Sequence, residues 1–178
     1  MTARLSVEAL EFRYCPAFIK ALLADGTLRI AFDNNAATGQ AVTVSAVNGR
    51  VTLNEQATNI PVSSVKAVEV VGSDRDNWID LRYVSLANGF RNLEGRVEVR
   101  GGRGNDVLIG TQFADWLFGG DGNDQIFAGE GNDTIAGGAG NNTIYHDGGR
   151  DTIYVQGNDW IDRLGTGDRI IRGAPPAH

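Results

Sequence analysis

The sequence has few of the residues that disulfide scaffolds, zinc sites and membrane spans require. Its single cysteine, Cys15, excludes an internal disulfide, and its two histidines, His146 and His178, stand apart from each other and from any cysteine. No apolar run approaches the ~20 residues that a transmembrane helix needs. We therefore expect no membrane span, and any metal site should use oxygen ligands.

Positive charge and proline are also scarce. The chain of 178 residues has 16 Lys and Arg against 22 Asp and Glu, so its net charge of −6 argues against nucleic acid as a partner and is compatible with cations. It has 24 Gly but 4 Pro, and its 42% apolar content excludes a disordered chain. Glu8, Glu11 and Arg13 interrupt the N-terminal apolar stretch, so no cleavable signal peptide is evident.

A nine-residue repeat, G-G-x-G-x-D-x-U-x with U a large aliphatic residue, fills the second half of the chain. It runs through GGRGNDVLI, GTQFADWLF, GGDGNDQIF, AGEGNDTIA, GGAGNNTIY and HDGGRDTIY over residues 101–154. A one-residue deletion then shifts the frame to GNDWI (157–161) and TGDRI (166–170). Without exception, the U position is occupied by Leu or Ile: Leu108, Leu117, Ile126, Ile135, Ile144, Ile153, Ile161 and Ile170.

The residue types of the repeat predict a coil. In x-U-x the side chains alternate, as in a short strand, while the preceding Gly- and Asn/Asp-rich residues suit a tight turn with positive φ at several positions. Two repeats would close one coil of 18 residues. Stacked coils would form two parallel sheets with the aliphatic residues between them, which predicts an all-β parallel β-roll, or β-helix.

The aspartates of this coil predict a hard cation. Residues 18 apart would lie one above the other, with Asp106 over Asp124 and Asp115 over Asp133, and adjacent coils would be ~4.8 Å apart. Carboxylates stacked so closely repel each other unless a cation lies between the turns. Calcium takes 6–8 oxygen ligands in flexible geometry, whereas magnesium prefers an octahedron that retains water. The pattern therefore favours calcium.

Over residues 97–171 these nonapeptides resemble the RTX (repeats-in-toxin) family, the hemolysin-type calcium-binding repeats. The resemblance implies a right-handed β-roll, secretion or cell-surface display, and about four Ca²⁺ held by turn carbonyls and sixth-position carboxylates. It implies that a site using Asn142 in place of Asp is weaker. The metal-site residues carried over from the motif are Gly102, Gly104, Asp106, Asp115, Gly120, Gly122, Asp124, Gly129, Gly131, Asp133, Gly138, Gly140, Asn142, Gly149, Asp151 and Asp168.

The segment before the repeats contains a further coil. VEVVGSDRDNWIDL (68–81) aligns with VEVRGGRGNDVLIG (97–110) at an offset of 29, which is one coil plus an 11-residue insertion around 82–95. Asn77 stands where the repeats have Asp, so this coil is predicted to be structural. Further upstream, TLRIAF, AVTVSAV and RVTLNE alternate like strands, and Asn48-Gly49 between the last two predicts a hairpin turn.

These features predict three segments. Residues 1–64 would form a β-rich capping region with a short helix and a hairpin, residues 65–171 the roll with calcium-binding repeats over 101–171, and residues 172–178 a disordered tail. Residues 4–17 resemble a short N-terminal motif of some large bacterial surface proteins, and an amphipathic helix is the alternative for the same stretch.

Three classes of function are compatible with these patterns. The favoured one is a non-enzymatic calcium-binding structural or interaction module, with no catalytic residues. The second is a calcium-dependent adhesin that binds carbohydrate through outward aromatic residues, and the third is a polysaccharide lyase-like β-helix. Phe127 and Tyr145 should stack on the outer face of neighbouring strands. That face would be covered by the 82–95 insertion or the N-terminal helix, by a second copy, or by a sugar or protein ligand.

Overall fold

A computed structural model describes residues 10–11, 19–35, 39–93, 97–162 and 164–175. Its strands before the repeats are β1 (Leu10–Glu11), β2 (Ile19–Ala24), β3 (Thr27–Phe32), β4 (Gln40–Val47), β5 (Arg50–Leu53), β6 (Gln56–Pro61), β7 (Ala67–Val71) and β8 (Asn77–Asp80). Those from residue 97 on are β9 (Val97–Arg103), β10 (Val107–Ile109), β11 (Asp115–Asp121), β12 (Gln125–Phe127), β13 (Thr134–Ala139), β14 (Thr143–Tyr145), β15 (Thr152–Val155), β16 (Trp160–Ile161) and β17 (Arg169–Arg172). One 3-10 turn spans Val62–Ser64. Among the described residues, no helix has the length and apolar character needed to cross a bilayer.

The strands form two sheets that run side by side along the chain. One has the order β1-β2-β3-β7-β9-β11-β13-β15-β17, and the other has the order β6-β5-β4-β8-β10-β12-β14-β16. From β7 and β8 onward, successive strands alternate between the sheets and every pair within a sheet is parallel. The predicted all-β parallel fold is confirmed.

The register confirms the 18-residue coil. Leu108 lies opposite Ile126 and Ile126 opposite Ile144 in one sheet, while Leu117 lies opposite Ile135 in the other. The offset of 29 residues is confirmed as well, since Val68 pairs with Val97 and Ile79 with Leu108. In the last coil the spacing falls to 17, with Ile144 opposite Ile161.

The aliphatic repeat residues fill the space between the sheets. Six of them are fully buried, namely Leu108, Leu117, Ile126, Ile135, Ile144 and Ile153. Burying each such side chain stabilises the fold by about 1.5–3 kcal/mol. Ile161 is half-buried, and Ile170 is 42% exposed. The expectation that Ile170 lies inside is therefore wrong, because β17 is the last strand of its sheet and packs on one neighbour alone.

The strands before residue 65 continue both sheets. β3 pairs in parallel with β7, and β4 pairs in parallel with β8, so these two strands add a coil to the stack. Antiparallel strands lie beyond them, β2 outside β3 and the β5–β6 pair outside β4. The predicted hairpin is confirmed, as Asn48 and Gly49 connect β4 to β5 with φ of 51° and 73°. The division at residue 65 stays a prediction.

The ends of the chain differ from expectation where they are described. Leu10 and Glu11 are strand residues paired antiparallel with Ala21 and Lys20, not part of a helix, because the edge of β2 offers unpaired backbone groups. The rest of the 4–17 motif lies outside the described residues. Arg172 is the final residue of β17, paired with Val155, so the roll extends one residue into the predicted tail.

The insertion after β8 packs against the N-terminal half of the roll. Its Phe90 and Val84 are fully buried and belong to the core. The Asn92 amide donates to the carbonyl of Ser63 at 2.7 Å. The insertion thus adds apolar side chains to the core beside the 62–64 turn.

Candidate metal centre

The turns between strands are built on glycines in left-handed conformations. All nine glycines assigned to the site by the motif have positive φ, between 93° and 142°. In Gly120, with φ of 118°, a Cβ atom would overlap the carbonyl oxygen of Gly102 in the coil before. Only glycine combines this conformation with such a close approach. The result is a column of stacked turns whose carbonyl groups lie close together.

The sixth-position residues form two ladders, one on each edge of the roll. Within a ladder, Oδ1 of each residue accepts a hydrogen bond from the backbone N–H of its counterpart one coil earlier. With the N–H donor named first and the Oδ1 acceptor second, the bonds are Asp106 to Asp124 at 2.8 Å, Asp124 to Asn142 at 2.9 Å, Asp115 to Asp133 at 2.9 Å, Asp133 to Asp151 at 2.9 Å and Asp151 to Asp168 at 3.0 Å. The predicted stacking is confirmed, and one oxygen of each stacked side chain is used by the backbone.

The asparagines at the fifth position form a further ladder in the opposite direction. The backbone N–H of Asn123 donates to Oδ1 of Asn105 at 2.8 Å, and that of Asn141 donates to Oδ1 of Asn123 at 2.8 Å. On the other edge, the N–H of Arg150 donates to Oδ1 of Asn132 at 2.9 Å. The recurring Gly-Asn-Asp triplet is thus explained, although the sequence pattern treated its fifth position as variable.

The second carboxylate oxygens are left without partners. Oδ2 of Asp106, Asp124, Asp133 and Asp151 is buried and makes no hydrogen bond. Each of these aspartates is at most 1% exposed. Buried carboxylate oxygens are costly to leave unpaired, because neither water nor a donor compensates for their desolvation. The turns therefore present oxygen atoms that a hard cation would satisfy, together with the carbonyls of the glycine turns.

Burial also shifts the protonation of these groups. It raises the pKa of Asp106 to about 6, the pKa of Asp115 and of Asp124 to about 7, and the pKa of Asp133 to about 8. Burial raises the pKa of Asp151 in the same direction. The charged form is disfavoured mainly by desolvation, which an adjacent cation would counter.

Not every predicted ligand has a free oxygen. Asp115 receives the Thr111 hydroxyl on Oδ1 at 2.8 Å and the Thr111 backbone N–H on Oδ2 at 2.5 Å. Both oxygens of Asp115 are thus used within its own turn, where the sequence lacks the second and third glycines of the repeat. Asp168 similarly uses Oδ2 to accept the N–H of Gly165.

Side-chain amides donate hydrogen bonds at two positions of one ladder. Nδ2 of Asn142 donates to Oδ1 of Asp159 at 2.9 Å and lies 3.4 Å from the carbonyl oxygen of Gly138. Nδ2 of Asn77 likewise donates to Oδ1 of Asp106 at 2.9 Å. At both positions an N–H group stands where the neighbouring aspartates have a bare Oδ2. Asp159 itself was missed as a site residue, although GNDWI repeats the Asp-x-Ile spacing one residue out of frame.

The structure corrects the view that His146 is isolated. The His146 side chain is 1% exposed, and its Nδ1 lies 2.9 Å from Oδ2 of Asp151 and 3.8 Å from Oδ2 of Asp168. His146 occupies the first position of its repeat. In the other turns this position is glycine or, at Ala128, alanine, and at Gly101 and Gly119 a Cβ atom would meet Oδ2 of the turn's own aspartate. A side chain at position one must therefore face position six, which the nine-residue spacing could have revealed.

The outer face of one sheet carries the predicted aromatic stack. The rings of Phe127 and Tyr145 are stacked, with centroids 4.6 Å apart and an interplanar angle of 4°, and Trp160 meets Tyr145 edge-on at 5.6 Å. Beside the stack lies a groove of about 480 Å³. Its walls include three aromatic and three polar side chains, namely Trp78, Phe127, Tyr145, Arg82, Gln112 and Asp147.

Stacked 18-residue coils with glycine turns and buried carboxylates define a parallel β-roll with oxygen-rich turns. Residues 100–135 and 118–153 match the family model of the RTX calcium-binding nonapeptide repeat, with four copies found. Residues 100–153 thus match RTX calcium-binding nonapeptide repeats, as the resemblance implied. No curated protein and no solved structure matches the chain.

Replacing Asn142 by aspartate should convert an amide-filled turn into a cation-dependent one. Asn142→Asp keeps the Oδ1 acceptor for the Asp124 N–H but removes the Nδ2 donor to Asp159. We expect the melting temperature to fall in EGTA and calcium affinity to rise, as measured by thermal denaturation and calorimetry. A variant that melts higher than wild type without calcium, or binds calcium less tightly, would contradict this role of the amide.

Proposed function

We propose that the chain is a non-enzymatic structural or interaction module whose roll is stabilised by calcium bound in the turns. The observation that carries the proposal is the set of four buried, unpartnered Oδ2 atoms on Asp106, Asp124, Asp133 and Asp151. These oxygens lie in stacked glycine turns, and repeats of this kind bind Ca²⁺. Calcium, bound by these oxygens and by turn carbonyls, would neutralise the charge that burial otherwise disfavours.

The two ladders support our proposal that the ions bind in the turns around these oxygens. Asp133 lies in the middle of its ladder, where its Oδ1 accepts from Asp115 and its N–H donates to Asp151. Its Oδ2 has no hydrogen-bond partner. Asp168 lies at the end of the same ladder and already uses both carboxylate oxygens. The two residues therefore give a matched comparison between a central and a terminal position.

Calorimetric titration of calcium into the chelator-treated chain tests this assignment. Asp133→Ala is expected to weaken both sites that flank it and to reduce the number of bound ions more than Asp168→Ala does. Equal losses for the two variants would contradict the ladder arrangement, and a wild-type chain that binds no calcium would overturn the proposal as a whole.

We further propose that the chain works outside the cell. RTX repeat proteins are typically secreted bacterial proteins, and their calcium sites suit the calcium concentrations found there. A fold whose charged turns need calcium would remain incompletely assembled in cytoplasm, where free calcium is scarce.

The groove beside Phe127 and Tyr145 supports a second candidate function, binding of carbohydrate. Aromatic faces bury the apolar faces of sugar rings, and the flanking Arg82, Gln112 and Asp147 offer hydrogen-bonding groups to hydroxyls. Trp78 and Trp160 are 48% and 52% exposed, so the face presents a large aromatic surface. This combination of rings and polar groups fits a sugar better than a purely apolar partner.

A double substitution on this face distinguishes its possible occupants. Phe127→Ser with Tyr145→Ser is expected to abolish binding on a glycan array while calcium binding and folding are retained. If the variant is instead a folded monomer derived from a dimeric wild type in light scattering, the face is a self-association surface. If the double variant matches wild type in glycan binding, in molar mass by light scattering and in stability, the groove is an ordinary exposed surface.

A further inference from the structure

We propose that His146, Asp151 and Asp168 form a binding site for a divalent transition-metal ion, for which Zn²⁺ is the reference. This site goes beyond the calcium function, because it contains a nitrogen ligand and lies at one position of one ladder. Within the described residues, it is the one group of three His, Cys, Asp or Glu side chains whose ligand atoms come within 4.8 Å of one another.

The spacing of the ligand atoms fits an ion of this class. Nδ1 of His146 is 2.9 Å from Oδ2 of Asp151 and 3.8 Å from Oδ2 of Asp168. Zinc bonds of about 2.0–2.1 Å in tetrahedral geometry hold ligand atoms about 3.3 Å apart. The two observed separations lie on either side of that value, so the ion requires only small side-chain adjustments. Oδ2 of Asp168 also accepts the N–H of Gly165, and its second lone pair is the one that would face the ion.

The imidazole of His146 is buried and makes no hydrogen bond. Its side chain is 1% exposed, and neither Nδ1 nor Nε2 makes a hydrogen bond. Although Nδ1 lies near Oδ2 of Asp151, the two atoms do not meet hydrogen-bond geometry, and this Oδ2 is also left unpaired. A buried imidazole that serves packing alone normally has a hydrogen-bond partner. Here the unpaired nitrogen faces two carboxylates.

The chemistry of the three ligands separates this site from its neighbours. In other repeats the first position is Gly101, Gly110, Gly119, Ala128 or Gly137, none of which adds a ligand side chain. Imidazole nitrogen suits zinc, cobalt, nickel and copper, whereas calcium selects oxygen. Two carboxylates and one imidazole also match the charge of a divalent ion. A histidine at position one therefore changes the preferred metal of this turn.

Titration of Zn²⁺ alone into the chain in excess calcium tests the site. Excess calcium occupies the turns around Asp106, Asp124 and Asp133. At Oδ2 of Asp151, which both proposals use, zinc is expected to displace calcium because His146 adds a nitrogen ligand, so the proposal predicts one zinc equivalent. His146→Gln is expected to weaken zinc binding by about tenfold or more. His146→Gly, which restores the glycine of the repeat, should remove zinc binding and retain calcium binding. His178→Gln, which removes the other histidine of the chain, is the matched control and should bind zinc as wild type does.

Two further measurements do not depend on the folding of the His146 variants. In the His178→Gln background, ¹⁵N labelling of histidine reports on His146 alone, and Zn²⁺ is expected to shift the resonance of the coordinating nitrogen. Asp168→Asn retains the Oδ1 acceptor for the Asp151 N–H but loses a charged ligand, so it should weaken zinc binding. No zinc binding in calcium-saturated wild type, no histidine shift, or unchanged affinity in folded His146 variants would overturn the proposal and leave a buried His–Asp contact.

Discussion

Removing calcium with EGTA is expected to lower the melting temperature of the chain by roughly 10–20 °C relative to 1 mM calcium. The reason is the set of buried Oδ2 atoms on Asp106, Asp124, Asp133 and Asp151, none of which makes a hydrogen bond. A site with an affinity of ~10⁻⁴ M, common in extracellular modules, adds about 1.4 kcal/mol at 1 mM calcium. About four such sites would supply a large part of the ~5–15 kcal/mol that stabilises a typical domain.

Circular dichroism during heating measures this effect directly. The calcium-dependent part of the transition should report on the strands from β9 onward, since the turns with free carboxylate oxygens connect them. Magnesium at the same concentration is the matched control and should restore much less stability, because it retains its water in irregular oxygen sites. A melting temperature that is the same with EGTA and with calcium would contradict the proposed function.

Without calcium, the stability of the fold is expected to decrease as the pH rises from about 4 to 8. The pKa of each buried carboxyl is raised in the folded chain, to about 6 for Asp106, about 7 for Asp124 and about 8 for Asp133, from ~3.9 when unfolded. The folded state therefore binds protons more tightly than the unfolded chain. This contribution is complete below the unfolded pKa and is lost as pH rises through the folded values.

Calcium should remove or reverse this dependence, because the cation replaces the proton at the same oxygen atoms. We expect the calcium-free melting temperature to fall by about 10 °C or more between pH 5 and pH 8, and that of the calcium-loaded chain to change little. Asp133→Asn should reduce the slope in EGTA. Asp25→Asn, at an exposed carboxylate in the turn between β2 and β3, is the control that should leave it unchanged. A calcium-free chain that becomes more stable toward pH 8 would show that these carboxyls are not buried as described.

The sequence predicted the repeating part of the fold because its constraints are local. The aliphatic side chains of Leu108, Ile126 and Ile144 recur every 18 residues, and each coil uses the same type of turn. The pairing of residues in neighbouring strands can therefore be read from this spacing. The insertion after Asp80 was found in the same way, from the offset of 29. Ile170 was wrongly predicted to be buried. Its burial would require another strand next to β17, and a repeat pattern does not show where the stack ends.

Two features of the site could not be read from the pattern in the same way. The repeat placed Asp133 over Asp151, but it did not indicate that the backbone N–H of Asp133 takes one carboxylate oxygen and leaves the other free. Which carboxylate oxygen accepts the N–H depends on the orientation of the backbone within the turn. Thr111 was not recognised either. It stands where the repeat has its second glycine, and its hydroxyl and N–H satisfy Asp115.

Of the strands before residue 65, β3, β4 and β5 were recognised individually, while their place in the stack was not, and β1, β2 and β6 were missed. β3 and β4 continue the parallel sheets without the glycine turns that mark the repeats. Their alternating side chains indicate a strand but do not indicate whether its neighbour is parallel or antiparallel. Long-range pairing of this kind is decided by packing, as in the contact between Leu28 and Val68, which face each other in register.

The direction of the aspartate ladder gives the roll a mechanical polarity. The turn backbone of each coil is held by a carboxylate or amide oxygen from the coil after it, as with the N–H of Asp106 on Asp124 and the N–H of Asp124 on Asn142. A force applied at the β17 end therefore detaches the last coil first. The coil before it then loses the side-chain oxygens that accept its turn N–H groups. Each 18-residue coil releases ~60 Å of extended chain. Under tension, the stack would lengthen stepwise from that end, and each step would expose the next turn to release of its cation.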